Sequence, residues 1–329
     1  MLRFFDTLFF LQTPKLLIIA PQTILMTGAS EGLGLSAARK LAAKGASIVI
    51  VSRNPVKLSA ALESIRASAA KPATQRFHSI AADVGVEGFA EPLFAEVVAW
   101  NNGTPPDIVW CVAGVSYPGL FVESPMWTTR RAMDVNFYGM AELARATLKV
   151  WLAPDAPITA EPLRFVFTTS VASFVSVAGY GTYTPGKFAV RALVDALSQE
   201  LLLYPQNVQV HMFAPSTMLT PGFEHEERTK PAITKKLEEN DPVWTADQAA
   251  DIGIKGLEAG EFFIVAGPQP QLMKWSALGG SLRNNWVVDT LMSMLTPLLW
   301  VAVLPMILGD IRKFARNSGH PSTYAAKHE

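Results

Sequence analysis

Thr27-Gly28-Ala29-Ser30-Glu31-Gly32-Leu33-Gly34 follows the apolar run from Gln22 and leads into a helical pattern through Lys44. Strand, glycine turn, helix is the order a dinucleotide-binding turn requires. Glycines let the backbone approach a pyrophosphate, and the helix N-terminus offers free N–H groups and the positive end of its dipole. Gly28, Ser30, Glu31, Gly32 and Gly34 are therefore candidate cofactor contacts. The spacing is Gly-x-x-x-Gly-x-Gly, not the commoner Gly-x-Gly-x-x-Gly. The alternative reading is a plain strand-to-helix turn.

The chain beyond this turn alternates apolar runs with helical patterns. Strands are predicted over 47–51, 77–82, 107–112, 165–169, 208–213 and 262–266. Helices are predicted over 60–70, 89–100, 126–150 and 180–203. That alternation predicts an α/β fold, a Rossmann-type doubly wound parallel sheet of about seven strands. After the second strand comes Ser52-Arg53-Asn54, with Lys57 beyond. An acid for the ribose 2′-OH is absent and two cations are present, which points to a 2′-phosphate and hence NADPH. Asp83, at the end of the third strand, is placed to accept from the adenine amino group or to cap the next helix. Ala214 to Phe223 and the charged run Glu224 to Lys230 lie beyond the strand ends. They read as a substrate lid or as a solvated loop.

Ser170 closes the fifth strand, and Tyr183 and Lys187 are four residues apart. On one helix that spacing stacks the two side chains on one face. An ammonium beside a phenol favours the phenolate and lowers a pKa that is otherwise about 10. Tyr183 then becomes a general acid or base near neutrality. Pro185 is expected to kink this helix or to mark its first turn. The other reading of the pair is an amphipathic helix with a snorkelling lysine.

Half of the 329 residues are hydrophobic and 17% are charged, with 28 basic and 28 acidic side chains. No basic block marks a nucleic-acid partner. The single cysteine, Cys111, excludes an intrachain disulfide and a cysteine-rich zinc site and suits a reducing compartment. No His-x-x-x-His pair occurs, so no metal site is expected. Residues 1–21 form an apolar N-terminal segment, interrupted by Arg3, Asp6, Pro14 and Lys15, without a small-residue cleavage site. Arg3 to Leu11 reads as a short amphipathic helix on a membrane or on the protein's own core. The reductase domain is placed at 22–275, an apolar membrane-associated segment at 276–316 and a polar tail at 317–329. Thr290 to Gly309 is uncharged and just meets the roughly 20 residues of a helical span. Pro297 and Pro305 are expected to break it. Arg312, Lys313 and Arg316 follow, and a single span would carry them away from the cytosol, against the positive-inside tendency. A bent, shallow or re-entrant insertion with both flanks cytosolic is the expected topology. A span and a hydrophobic interface in a homo-oligomer are the other readings.

The whole pattern resembles the short-chain dehydrogenase/reductase family over about residues 22–270. Thr27 to Gly34 is similar to its Thr-Gly-x-x-x-Gly-x-Gly motif. Asn136, Ser170, Tyr183 and Lys187 fall where that family carries its catalytic tetrad. The resemblance implies that Lys187 holds the nicotinamide ribose and that Asn136 anchors a proton-supplying water. The 3-ketodihydrosphingosine reductase branch is similar in Ser52-Arg53-Asn54 with Lys57, in Thr220-Pro221-Gly222-Phe223 followed by Glu227 to Pro231, and in its apolar C-terminal segment. That branch implies NADPH-dependent reduction of a long-chain sphingoid ketone at the endoplasmic reticulum membrane, with the catalytic domain facing the cytosol. The alternatives are a reductase of another lipid ketone (steroid, retinoid or acyl) and a non-catalytic membrane-bound NADP-binding scaffold. Three departures stand out. Cys111 replaces the usual Asn of Asn-x-Ala-Gly, Glu31 sits in the glycine turn, and Pro185-Gly186 lies between Tyr183 and Lys187.

Overall fold

In a computed structural model, which describes Ile19 and residues 21–323, seven parallel strands form one sheet. The N-terminal helix expected over Arg3 to Leu11 lies outside the described residues. The elements in chain order begin with β1 (Thr23–Thr27), α1 (Gly32–Ala43), β2 (Ser47–Ser52), α2 (Pro55–Ala67), β3 (Phe77–Ala81), α3 (Ala90–Trp100) and β4 (Ile108–Cys111). Next come α4 (Met126–Met133), a π-helical turn (Asp134–Tyr138), α5 (Gly139–Trp151), β5 (Leu163–Thr168), α6 (Thr184–Glu200) and β6 (Val208–Ala214). The last are β7 (Met218–Leu219), α7 (Pro221–Thr229), α8 (Ala232–Leu237), β8 (Trp244–Thr245), α9 (Ala246–Glu258), β9 (Phe263–Val265), α10 (Pro268–Ala277) and α11 (Trp286–Ser318).

The sheet order is β3-β2-β1-β4-β5-β6-β9. Strands buried on both faces explain the near-continuous apolar runs. Leu25, Val49, Val109 and Phe165 point into one core, while Ile24, Ile48, Ile108 and Val166 point into the other. The order reverses between β1 and β4, so their carboxyl ends open the crevice in which such sheets bind ligands.

Four local expectations are corrected. The helix expected from Ala60 starts at Pro55, because Asn54 caps it by accepting from the Val56 and Lys57 N–H groups at 3.0 and 3.1 Å. The long helix over 126–150 is interrupted by the π-turn, which carries Asn136. The helix expected from Tyr180 starts at Thr184, with Tyr183 as its N-cap residue, while Pro185 marks the first turn, one of its two expected outcomes, where a missing N–H costs no internal bond. The charged stretch after Phe223 is largely helical, and the short parallel pair β7–β8 ties its two ends together.

The C-terminal run is also corrected: Pro297 and Pro305 sit inside one unbroken 33-residue helix. Apolar helices tolerate proline when neighbouring groups take up the freed backbone carbonyls. The prolines free the carbonyls of Ser293 and Val301, while Thr296 Oγ1 donates to Met292 O and Ser293 Oγ to Thr290 O in the turn ahead of Pro297. The helix has a mean hydropathy of 2.1 over its most apolar window and is almost entirely exposed there. At about 1.5 Å per residue it measures roughly 50 Å, long enough to cross a bilayer. Its base is fixed by Asp289, which accepts from Trp275 Nε1 at 2.6 Å and from Asn284 N at 2.8 Å.

Candidate active site

The glycine turn, the ends of β2 to β6 and α7 enclose a cavity of about 350 Å³. Gly28, Ser30, Glu31, Gly32 and Gly34 line one end of it, and Ser170, Tyr183 and Lys187 line the other. At Gly34 an added Cβ would run into Gly28 O, so only glycine lets α1 start this close to β1. Gly28 adopts φ +68°, a left-handed conformation that favours glycine. Ser30 Oγ donates to Ser52 Oγ at 2.8 Å and ties the turn to the end of β2.

Glu31 does not confront this end of the cavity with an unpaired charge: its carboxylate is bound by Lys57 Nζ at 2.6 Å, and both side chains are largely exposed. The two cations expected to act together are thereby separated. Arg53 lines the cavity, whereas Lys57 is occupied by Glu31 and stands outside its lining. Asp83 lines the cavity too. Both of its oxygens are bound by Arg131 Nη2, at 2.6 and 2.8 Å, and one accepts from Gly85 N at 2.9 Å. Burial opposes its charge, but the Gly85 N–H and the Arg131 guanidinium outweigh that and hold its pKa below the usual value.

Asn136 is fully buried, and its amide grips one backbone residue from both sides. Its Oδ1 accepts from Val115 N at 2.9 Å and its Nδ2 donates to Val115 O at 2.8 Å. The loop after β4 is thus held although Cys111 replaces the usual asparagine there. Cys111 is itself buried in register with Thr27 and Phe167. The Asn136 side chain acts as a brace, which leaves it less free to anchor a water.

Ser170 Oγ accepts from Ala172 N at 3.2 Å, leaving its own proton to donate elsewhere. Lys187 Nζ lies 5.4 Å from the Tyr183 ring centroid and donates to Thr168 O at 3.4 Å. Burial depresses the Lys187 pKa to about 8. The expected lowering of the Tyr183 pKa is not what this geometry gives. Burial raises it, the Glu226 charge raises it further, and the Ser170 hydroxyl only partly offsets the two. Tyr183 keeps its proton at neutral pH, the state a proton donor needs.

Tyr180, Glu226 and Lys230 line this site, with Glu238 paired to Lys230 behind them, and all four escape a reading from sequence. The Tyr180 hydroxyl donates to Glu226 Oε1 at 2.6 Å, and the Tyr180 and Tyr183 rings are 5.7 Å apart. Lys230 is 2% exposed and contacts Glu226 at 3.1 Å, Glu227 at 2.5 Å and Glu238 at 2.8 Å. In the sequence these residues look like a solvated charged run. The only signal was the Glu226–Lys230 spacing of one helical turn.

The short chain dehydrogenase family model matches residues 22–231. The chain is 47% identical over 310 residues to the 3-ketodihydrosphingosine reductase gsl-3 of Neurospora crassa, covering 93% of this chain and 86% of that one. It is 43% identical to the 3-ketodihydrosphingosine reductase ksrA of Aspergillus fumigatus, over 91% and 84% of the two chains. Against the 3-dehydrosphinganine reductase of Danio rerio it is 28% identical, over 92% and 88%. A short-chain dehydrogenase from Sphingobium yanoikuyae, solved in complex with NADPH, superposes with a TM-score of 0.64 at 21% identity, covering 79% of this chain and 92% of that one. The chain therefore belongs to the short-chain dehydrogenase family, in the branch of the 3-ketodihydrosphingosine reductases.

Proposed function

We propose that this protein is an NADPH-dependent reductase that converts 3-ketodihydrosphingosine, a long-chain 2-amino-3-ketone, to dihydrosphingosine. The observation that carries the reading is the convergence of Ser170, Tyr183 and Lys187 at the end of the cavity that begins at the glycine turn. The same reaction names the relatives in two fungi and a fish.

The cofactor fits the residues present. Gly28, Gly32 and Gly34 line the cavity at the N-terminus of α1, where a pyrophosphate would meet free N–H groups. Arg53 would hold the 2′-phosphate, and Lys187 the nicotinamide ribose. Bound NADPH supplies the hydride that reaches the carbonyl carbon. Ser170 and Tyr183 donate hydrogen bonds to the ketone oxygen, and Tyr183 gives up its proton as negative charge grows there. Burial, and after it the Glu226 charge, keep the proton on Tyr183, and Glu226 lines the same cavity. An ammonium one carbon from the ketone offsets that charge and eases the transfer, which favours an amino ketone over a neutral one. Purified protein is expected to oxidise NADPH with the amino ketone and markedly more slowly with its N-acetyl derivative. Equal rates with steroid, retinoid or acyl ketones would shift the substrate class, and no oxidation with any ketone would leave a scaffold.

Arg53→Ala is expected to lower NADPH efficiency by about 10- to 100-fold, the worth of one charged hydrogen bond, with NADH use unchanged. Lys57→Ala should do less, because its ammonium is already engaged by Glu31. A wild-type enzyme equally efficient with both cofactors would show that Arg53 reads no phosphate.

Membrane association through α11 is part of the same reading, at the cytosolic face of the endoplasmic reticulum. The helix stays beside the catalytic domain from Asp289, held by Trp275, to Ile307, which borders a cavity shared with that domain. That stretch is about 27 Å long. Leu291, Met294, Leu298, Val301 and Met306 point outward and are 57%, 70%, 66%, 75% and 70% exposed. A helix flanked by its own domain and apolar on its outer side suits shallow insertion along the bilayer surface, with both ends cytosolic. The re-entrant form needs a mid-helix turn, and α11 has none. A chain ended after Met292 keeps Asp289 and is expected to leave membranes while reducing a short-chain ketone within about threefold of the full chain. Its retention on membranes would assign the anchor to the N-terminal segment. A glycosylation acceptor placed after Lys313 should stay unmodified, and its modification would establish a span.

A further inference from the structure

We propose that the cavity between α11 and the catalytic domain seats the hydrocarbon chain of the substrate, so that the membrane helix forms a wall of the active site. This rests on the reading of the catalytic cavity given above. The second cavity has a volume of about 280 Å³. Val175 closes it on one side, Leu272 and Met273 of α10 on another, and Leu299, Trp300 and Val303 of α11 on a third.

It adjoins the catalytic cavity, with Val171 and Tyr180 in the lining of both. Tyr180 stands at the junction with its hydroxyl tethered to Glu226 and its ring beside Tyr183. From a ketone placed on Ser170 and Tyr183, the adjoining apolar space for a long chain lies past Tyr180, toward α11. Pro221, Gly222 and Phe223 line the catalytic cavity and not this one.

The polar side chains in the wall already have partners, and the Glu238 carboxylate is bound by Lys230 at 2.8 Å. Thr296 Oγ1 donates to Met292 O at 2.8 Å, and Gln269 Nε2 donates to Asp241 Oδ1 at 2.8 Å. The surface left to a ligand is apolar, which suits methylenes and rewards no polar tail. The outer face of α11 is the one placed against lipid above, so a chain in this cavity needs little travel through water to reach the ketone site.

The test is a series of 2-amino-3-ketones with chains from roughly six to 18 carbons, assayed on the full-length protein. Each added methylene is expected to raise kcat/KM by up to about fourfold until the cavity is filled, then to have no effect. Leu299→Trp with Val303→Trp fills the cavity from the α11 side. It should lower kcat/KM for the 18-carbon ketone at least about tenfold through KM, and leave the six-carbon ketone within about twofold. Leu272→Trp fills it from α10 and should reproduce the effect if the first pair disturbs the helix. A second readout is independent of turnover: dihydrosphingosine brominated along its chain should quench the fluorescence that Trp300→Phe removes. A filled variant with wild-type melting and unchanged 18-carbon kinetics overturns the proposal, as does an equal loss on both chain lengths. If the wild type reduces no amino ketone, the substrate reading fails instead, and the bromine quenching still decides where a chain binds.

Discussion

Tyr183→Phe is expected to lower turnover of the amino ketone by about 10²–10⁴-fold while NADPH binding is retained. The substitution removes the proton and almost no volume, so the cavity keeps its shape. The loss should fall on kcat, because the phenol's proton matters most when the oxygen carries developing charge. In the wild type, burial and Glu226 raise the Tyr183 pKa, so the acid form stays populated through neutrality. Lys187 behaves in the opposite sense, with burial bringing its pKa down to about 8. It is charged below that pH and neutral above it. An ammonium beside Tyr183 helps the phenol release its proton. Reduction should therefore weaken as the pH rises through about 8, and kcat/KM, which reports the free enzyme, is the quantity to follow. A Tyr183→Phe enzyme retaining more than about a third of wild-type turnover would remove Tyr183 from the proton donor's role. A flat profile across pH 8 would remove Lys187 from the titration.

Features of the site set by local sequence were legible in advance, and features set by tertiary partners were not. The glycine turn announces itself because Gly28 and Gly34 answer a local requirement, a left-handed backbone and a close helix–strand approach. The parallel sheet is legible because strands buried on both faces must be apolar throughout. The direction of the Tyr183 pKa was not legible. It depends on Glu226, 43 positions away, and on burial. Nor does the sequence say that Lys57 belongs to Glu31, since the pair forms only once the turn and the start of α2 are side by side. The prolines of α11 misled for a related reason. A proline removes one internal hydrogen bond, which the sequence shows, but whether the helix runs on through it depends on its surroundings, and α11 runs on through both. Lys230 is the largest omission: a lysine among glutamates looks like a water-facing run until its side chain is found buried among three of them.

Lys230→Met is expected to destabilise the fold by about 3 kcal/mol, the low end of the ~3–5 kcal/mol for stripping one partner from a buried ion pair. Glu226, Glu227 and Glu238 keep side-chain exposures of 17%, 32% and 17%, so water relieves part of the cost. Methionine roughly matches the stem of lysine, and little packing is lost. The damage is electrostatic: three carboxylates are left facing one another. The pH dependence follows from that. Glu238 already titrates above its usual value, because burial outweighs the pull of Lys230. Without the ammonium its folded-state pKa rises further above the unfolded value. A carboxyl raised in this way penalises folding at high pH, and the penalty disappears as the pH falls toward the unfolded pKa of about 4.3. The gap in melting temperature between variant and wild type should therefore be wide at neutral pH and narrow in mild acid. Adding Glu238→Gln to Lys230→Met should recover part of the loss, since it removes one of the repelling charges. A gap that stays constant with pH, or a double variant less stable than the single one, would show that Lys230 acts through packing and not through its charge.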